Sequence, residues 1–288
     1  MELSIERTNR VPRRGKAGTL LRALLCVPLF ALFLKLDALL QLGSALFERG
    51  WSMPAILAAL VVFRMVLAGA VTLALLPWVL GLKRLRERLP GLLRVDRKGL
   101  LAGALSFGIF CALAAAIALA MGIWAGDPSA VFARPEVRPG PEPDVVGWGY
   151  FLLALVPGIW EELAFRGLIL SRLRARFSVA ASVMLSAVLF ALFHVSNLVT
   201  QAPGQVIGGT IMALLFGIAW GVLTVRAGSI IPAMLAHYLV DSLGQIFLGV
   251  DASDPALSTG FFLLLTLAFP LANLLAVRAL YRKRAVRT

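Results

Sequence analysis

Apolar runs of about 20 residues recur along this chain, divided by short charged or proline-rich blocks. They fall near residues 20–47, 53–82, 99–125, 146–171, 179–200, 205–226, 228–250 and 257–281. A run of that length crosses a ~30 Å hydrocarbon core as a helix, which satisfies its own backbone there. The pattern therefore predicts an all-α, polytopic membrane protein with about eight transmembrane helices. The first run differs from the rest. Lys35 and Asp37 interrupt it, so it reads as a long tilted helix, a split one, or a partly interfacial one.

Composition agrees with the pattern. The 288 residues are 60% hydrophobic and 15% charged, with mean hydropathy +0.88. Soluble domains lie nearer half apolar and a quarter charged. We expect one membrane domain, 1–288, with a basic arm at 1–19, catalytic helices at 146–250 and a basic tail at 282–288. The net charge of +13 does not make nucleic acid a partner, because the cations flank the apolar runs. With eight alternating helices, 22 of the 28 Lys and Arg fall on one side, and the opposite loops hold only Arg49, Arg134 and Arg138. Positive charge marks the cytoplasmic side, so both termini are expected in the cytoplasm and the protein in the inner (plasma) membrane. The basic start resembles a signal peptide, but no small-x-small site precedes Lys35, and an uncleaved anchor is expected.

Other features refine this picture without adding chemistry. Between Leu82 and Leu100, seven cations accompany Leu85, Leu89, Leu92 and Leu93 at near-helical spacing. The stretch reads either as an interfacial helix on an anionic leaflet or as a solvated basic loop. Residues 128–144 read as an external loop. Cys26 and Cys111 lie in apolar segments as packing residues. Gly204-x-x-x-Gly208 and Gly217-x-x-x-Gly221 predict close helix packing.

Ionisable groups at bilayer depth cost about 2.5–3.5 kcal/mol each on insertion scales and tend to be functional. Three helices carry them. The fourth has Trp160-Glu161-Glu162-Leu163-Ala164-Phe165-Arg166, the fifth has Phe190-Ala191-Leu192-Phe193-His194, and the seventh has His237-Tyr238-Leu239-Val240-Asp241. His194 and His237 are the only two histidines. Glu162 and Arg166, four apart, share a helix face and suit an ion pair. Glu161 is about 100° round from Glu162 and is left to face a polar cavity. Asp241 shares a face with His237, to orient its ring or to join it on a metal. A carboxylate and two imidazoles in a dry cavity suit activation of water for attack on a peptide carbonyl.

These patterns, Glu-Glu-x-x-x-Arg, Phe-x-x-x-His and His-x-x-x-Asp in this order on separate helices, resemble the CPBP (CAAX protease and bacteriocin-processing) family of intramembrane endopeptidases. That family includes the Ras-converting CAAX prenyl endopeptidases. The resemblance covers about 146–250. It implies that Glu161 and His194 activate the water, that His237 and Asp241 complete the site, and that Glu162, Arg166 and Phe190 support it. Position 241 is asparagine in the prenyl endopeptidases. An ionised Asp241 only accepts hydrogen bonds, which favours orientation of His237 or metal ligation over an oxyanion role. Glu161, His194, His237 and Asp241 form a donor set that can hold a divalent metal such as zinc, although the His-Glu-x-x-His spacing of zincins is absent. Both chemistries, glutamic and metal-dependent, stay open.

The partners implied are the lipid bilayer and a membrane protein or peptide substrate. The Ala-, Leu-, Arg- and Gly-rich composition suggests a GC-rich bacterial genome, where prenylated proteins are not expected. Leader removal, peptide maturation and cleavage of C-terminal anchoring signals are the candidate reactions. Rival readings are a scaffold or immunity protein of the same fold, a proton-coupled transporter and a membrane haem protein. The last has no use for two adjacent glutamates.

Overall fold

The computed structural model describes residues 15–83, 85–126, 148–247 and 255–282. Eight longer helical runs and three short α-helices occur among them, and no strand. The longer runs are α1 (Lys16–Leu34), α2 (Met53–Leu80), α3 (Arg97–Ala125), α4 (148–174), α5 (Val179–His194), α6 (Pro203–Ala227), α7 (Ile231–Phe247) and α8 (Pro255–Leu280). Six of them, α1–α3, α5, α6 and α8, are long and apolar enough to cross a bilayer. The chain is a multi-pass membrane protein. The expected external loop at 128–144, most of the basic arm (1–14) and the tail beyond 282 lie outside the described residues, as do 146–147 and 248–250.

Local chemistry sets several of the ends. Asp96 accepts the Gly99 N–H at 2.7 Å to cap α3, and Ser178 accepts that of Ala181 to cap α5. Gly126 and Gly228 stop α3 and α6 in left-handed conformations, with φ of 79° and 66° that other L-residues adopt at a cost.

The first predicted segment is split. Helix α1 starts at Lys16, inside the expected arm, and ends at Lys35, after which come two short helices, Leu36–Leu39 and Leu42–Glu48. Asp37 accounts for the break. It is buried, and its Oδ2 accepts from Arg64 Nε of α2 at 2.9 Å. A continuous α1 would have to carry that carboxylate past its partner.

The basic stretch after α2 contains a short helix, Leu85–Leu92. Leu85, Leu89 and Leu92 are half-buried, while Arg86, Glu87 and Arg88 are exposed. It is also anchored: Ser229 Oγ donates to the Arg94 carbonyl at 2.7 Å and lies 3.1 Å from that of Leu92, and Arg94 Nη2 donates to that of Ala227. The start of α7 is thereby tied to the basic stretch.

The apolar interior has two parts. One joins α1, α2, α4 and α5 through residues such as Phe30, Leu76, Phe165 and Phe190. The other joins α3, α6, α7 and α8 through Phe110, Phe216, Trp220, Ala236 and Phe269. Glycines let neighbouring helices approach. A Cβ on Gly217 would lie 3.1 Å from that of Ala187, and one on Gly221 3.0 Å from Val183, so the expected α6 packing is made against α5. Gly208 meets Phe262 of α8, whereas Gly204 faces open space. Cys26 and Cys111 are free thiols.

Candidate active site

Helix α4 is the central element, with every residue from Glu161 to Leu170 buried. It is wound as two π segments, Pro157–Glu161 and Leu163–Ile169, either side of Glu162. Single π turns of this kind frequently occur at functional sites. Pro157 lacks an amide hydrogen, which weakens the ordinary ladder at the first of them. Ser186 Oγ of α5 donates to the Phe165 carbonyl at 3.0 Å, supplying a partner beside the second. Gly158 lets α7 come close: a Cβ there would lie 2.9 Å from Tyr238 Cβ and 3.1 Å from its Cα. Tyr238 follows His237, so this contact sets the level of His237 against the two glutamates.

Glu162 is fully buried, and its Oε1 has two partners. Arg166 Nη1 lies 3.0 Å away, the ion pair expected from the spacing. His237 Nδ1 of α7 lies 2.8 Å away, a contact the sequence did not indicate. On the other side of the ring, His237 Nε2 is 3.3 Å from Asp241 Oδ2. The imidazole is thus flanked by a carboxylate at each nitrogen. Trp220 of α6 stacks on it with centroids 4.6 Å apart and planes at 29°. Sequence reasoning missed Trp220, since one Trp in an apolar helix carries no spacing signal.

Phe190 is a packing residue with a second contact. The Arg166 guanidinium lies 4.0 Å from its ring centroid and 5.9 Å from that of Trp220. This is cation–π geometry. Phe190 belongs to one half of the interior and Trp220 to the other, so Arg166 and His237 sit where the halves meet. His194 closes α5, its ring 4.6 Å from that of Phe190. Its Nδ1 is 2.9 Å from the Phe190 carbonyl. A carbonyl only accepts, so Nδ1 carries the hydrogen, and a neutral ring keeps its lone pair on Nε2.

Glu161 is buried, at 7% exposure. No side chain among the described residues hydrogen-bonds to it. Its charge lies within electrostatic reach of His237, Asp241, Lys35 and Glu162, and His194 shares the neighbours His237 and Asp241. The bundle therefore gathers Glu161, Glu162, Arg166, Phe190, His194, His237 and Asp241 into one region.

Residues 143–243 match the model of the Rce1-like family, described as type II CAAX prenyl endopeptidase Rce1-like. This segment, about a third of the chain, is similar to that family. No curated protein and no solved structure matches the chain. The Rce1-like match runs from the approach to α4 to just past Asp241, and leaves α1–α3 and α8 outside it. The Rce1-like family is one of proteases, and the match supports a CAAX-type intramembrane protease in general.

Of the four residues considered for a metal, His237 has a carboxylate at each nitrogen, whereas His194 turns Nδ1 to a carbonyl and leaves Nε2 free, as a metal-ligating imidazole does. Among the described residues, no three His, Cys, Asp or Glu side chains converge as a metal site would require.

Proposed function

We propose that this chain hydrolyses a peptide bond of a membrane-associated protein or peptide, with water activated between Glu161 and His194. One observation carries the reading: Glu161 is a buried carboxylate with no hydrogen-bonding side chain among the described residues, next to a Glu162 engaged by both Arg166 and His237. Of two adjacent acids, one is locked and the other is available to take a proton.

Glu161 takes a proton from water, and the water oxygen bonds to the substrate carbonyl carbon as the C=O π pair moves onto oxygen. The oxyanion then re-forms the carbonyl, the C–N bond breaks, and the departing amine takes the proton held by Glu161. His194 Nε2 accepts the second hydrogen of the attacking water and holds it in place. His237, fixed by Glu162, Asp241 and Trp220, completes the polar wall. This scheme needs no metal. The basic loops support the accompanying proposal that both termini lie in the cytoplasm of a bacterial cell and the bundle in its inner membrane.

The test compares reconstituted wild type with Glu161→Ala and His194→Ala after folding is confirmed by size exclusion and thermal unfolding. The probes are a fluorogenic farnesylated peptide ending in Cys-aliphatic-aliphatic-X, and a solubilised bacterial membrane proteome read by mass spectrometry of new termini. Cuts made by wild type and absent in both variants are expected, unchanged by a zinc chelator. Equal cutting by the variants, or no cut beyond that of Glu161→Ala, rejects the hydrolase reading. A chelator-induced loss reversed by zinc replaces the glutamic scheme with a metal-dependent one.

A further inference from the structure

Of the 28 Lys and Arg residues, three interrupt the apolar segments rather than flank them: Lys35, Arg64 and Arg166. Arg64 is bonded to Asp37, and Arg166 is paired with Glu162. Among the described residues, Lys35 makes no ion pair. A cation at such depth is costly without a negative charge to face.

The packing of α1 on α4 indicates which charge that is. Lys16 Nζ at the start of α1 lies over the Phe177 ring, just past the end of α4, at 5.8 Å. Further along, Phe30 of α1 meets Phe165 of α4 with centroids 5.9 Å apart. The two helices therefore run antiparallel. Beyond Phe30, Lys35 is five residues on, or ~7.5 Å at about 1.5 Å per residue. On α4, Glu161 lies four residues before Phe165, ~6 Å in the same direction by the same rise. Lys35 and Glu161 thus reach the same level, and each lies within reach of the other's charge. The break in α1 fixes the arrangement, because Asp37 is held on α2 by Arg64 two residues later.

We propose that Lys35 is the cation of the active site, holding the negative charge first on Glu161 and then on the substrate's oxyanion. The inference rests on the hydrolytic reading of Glu161. In that reaction, proton transfer neutralises Glu161 and one negative charge appears on the former carbonyl oxygen. An ammonium at the level of Glu161, beyond ion-pair distance of it, acts on both states through its charge. The other charged groups are poor candidates. His237 also acts on Glu161 by its charge, but both its nitrogens are engaged by carboxylates; Asp241 only accepts, and Arg166 is sealed at 2% exposure between Glu162 and the Phe190 and Trp220 rings. Lys35 is half-buried and carries three N–H donors. It lies over a hundred residues before the family-matching segment, so the N-terminal helices supply part of the site.

The test uses a peptide whose cut depends on Glu161, either the farnesylated probe or one mapped from the membrane proteome. Lys35→Met should lower kcat about 10²–10³-fold, the range for loss of one oxyanion donor, with little change in KM. Lys35→Arg should recover much of that loss. A second variant, Lys35→Cys with Cys26 and Cys111 replaced by Ala, guards against a folding defect. Alkylation by 2-bromoethylamine, in which the thiolate displaces bromide, restores an ammonium and should restore kcat. Iodoacetamide should not. Wild-type kcat in Lys35→Met, a change confined to KM, or equal inactivity of the Met, Arg and aminoethylated forms would overturn the role. Continued cutting by Glu161→Ala instead overturns the underlying reading.

Discussion

Glu162 Oε1 accepts a hydrogen bond from His237 Nδ1 at 2.8 Å, joining α4 to α7 across 75 residues of chain. The same oxygen takes the Arg166 ion pair at 3.0 Å. Glu162 is therefore a junction between helices, and it separates the role of one adjacent glutamate from that of the other.

Breaking that junction should unfold the site rather than merely slow it. Removing one partner of a buried pair leaves an uncompensated charge, at a cost of about 3–5 kcal/mol. Arg166→Met and Glu162→Gln are each expected to lower the unfolding temperature in detergent. The double variant should lose less than the two singles together. A double-mutant cycle with strictly additive losses would show that the pair does not act as a unit.

Gly158 should tolerate no side chain. A Cβ there meets Tyr238 at 2.9 Å, and overpacking costs about 1–3 kcal/mol. Gly158→Ala is expected to push α7 from α4, lowering both the unfolding temperature and the cleavage rate. Gly204→Ala, at a position open to space, is the control, with both near wild type. Equal behaviour of the two would refute a special role for the Gly158 contact.

At position 241, the contact between Asp241 Oδ2 and His237 Nε2 at 3.3 Å argues for orientation of the ring. Asparagine keeps an acceptor of the same shape, so Asp241→Asn should lose less than about tenfold in kcat, a barrier change near 1.4 kcal/mol. Asp241→Ala should lose clearly more. Rates for Asn as low as for Ala would show that the negative charge itself is required.

Orientation is measurable directly. Alkaline phosphatase fused after the last residue should stay inactive in cells, while a fluorescent protein fused there should glow, because the basic loops predict a cytoplasmic C-terminus. The opposite pair of results would invert the bundle.

Much of this was legible from residue order alone. Apolar length against bilayer thickness gives the spans and the helical class, and the i,i+4 spacing gives the Glu162–Arg166 and His237–Asp241 pairs. The few ionisable groups in apolar helices mark the site, because each must repay its own burial. Which residues share a helix face can be read from sequence. Which helix faces which cannot.

The contact of Glu162 with His237, the stacking of Trp220 on that ring and the placing of Lys35 level with Glu161 all join distant segments. They depend on close approaches such as Gly158 on Tyr238 and on the break in α1 held by Asp37 and Arg64. Neither leaves a periodic trace. Sequence thus determined a helical membrane protein and the residues able to do its chemistry. Tertiary structure added His237 as the second partner of Glu162, since only packing brings a distant partner to an acid that local spacing has already paired.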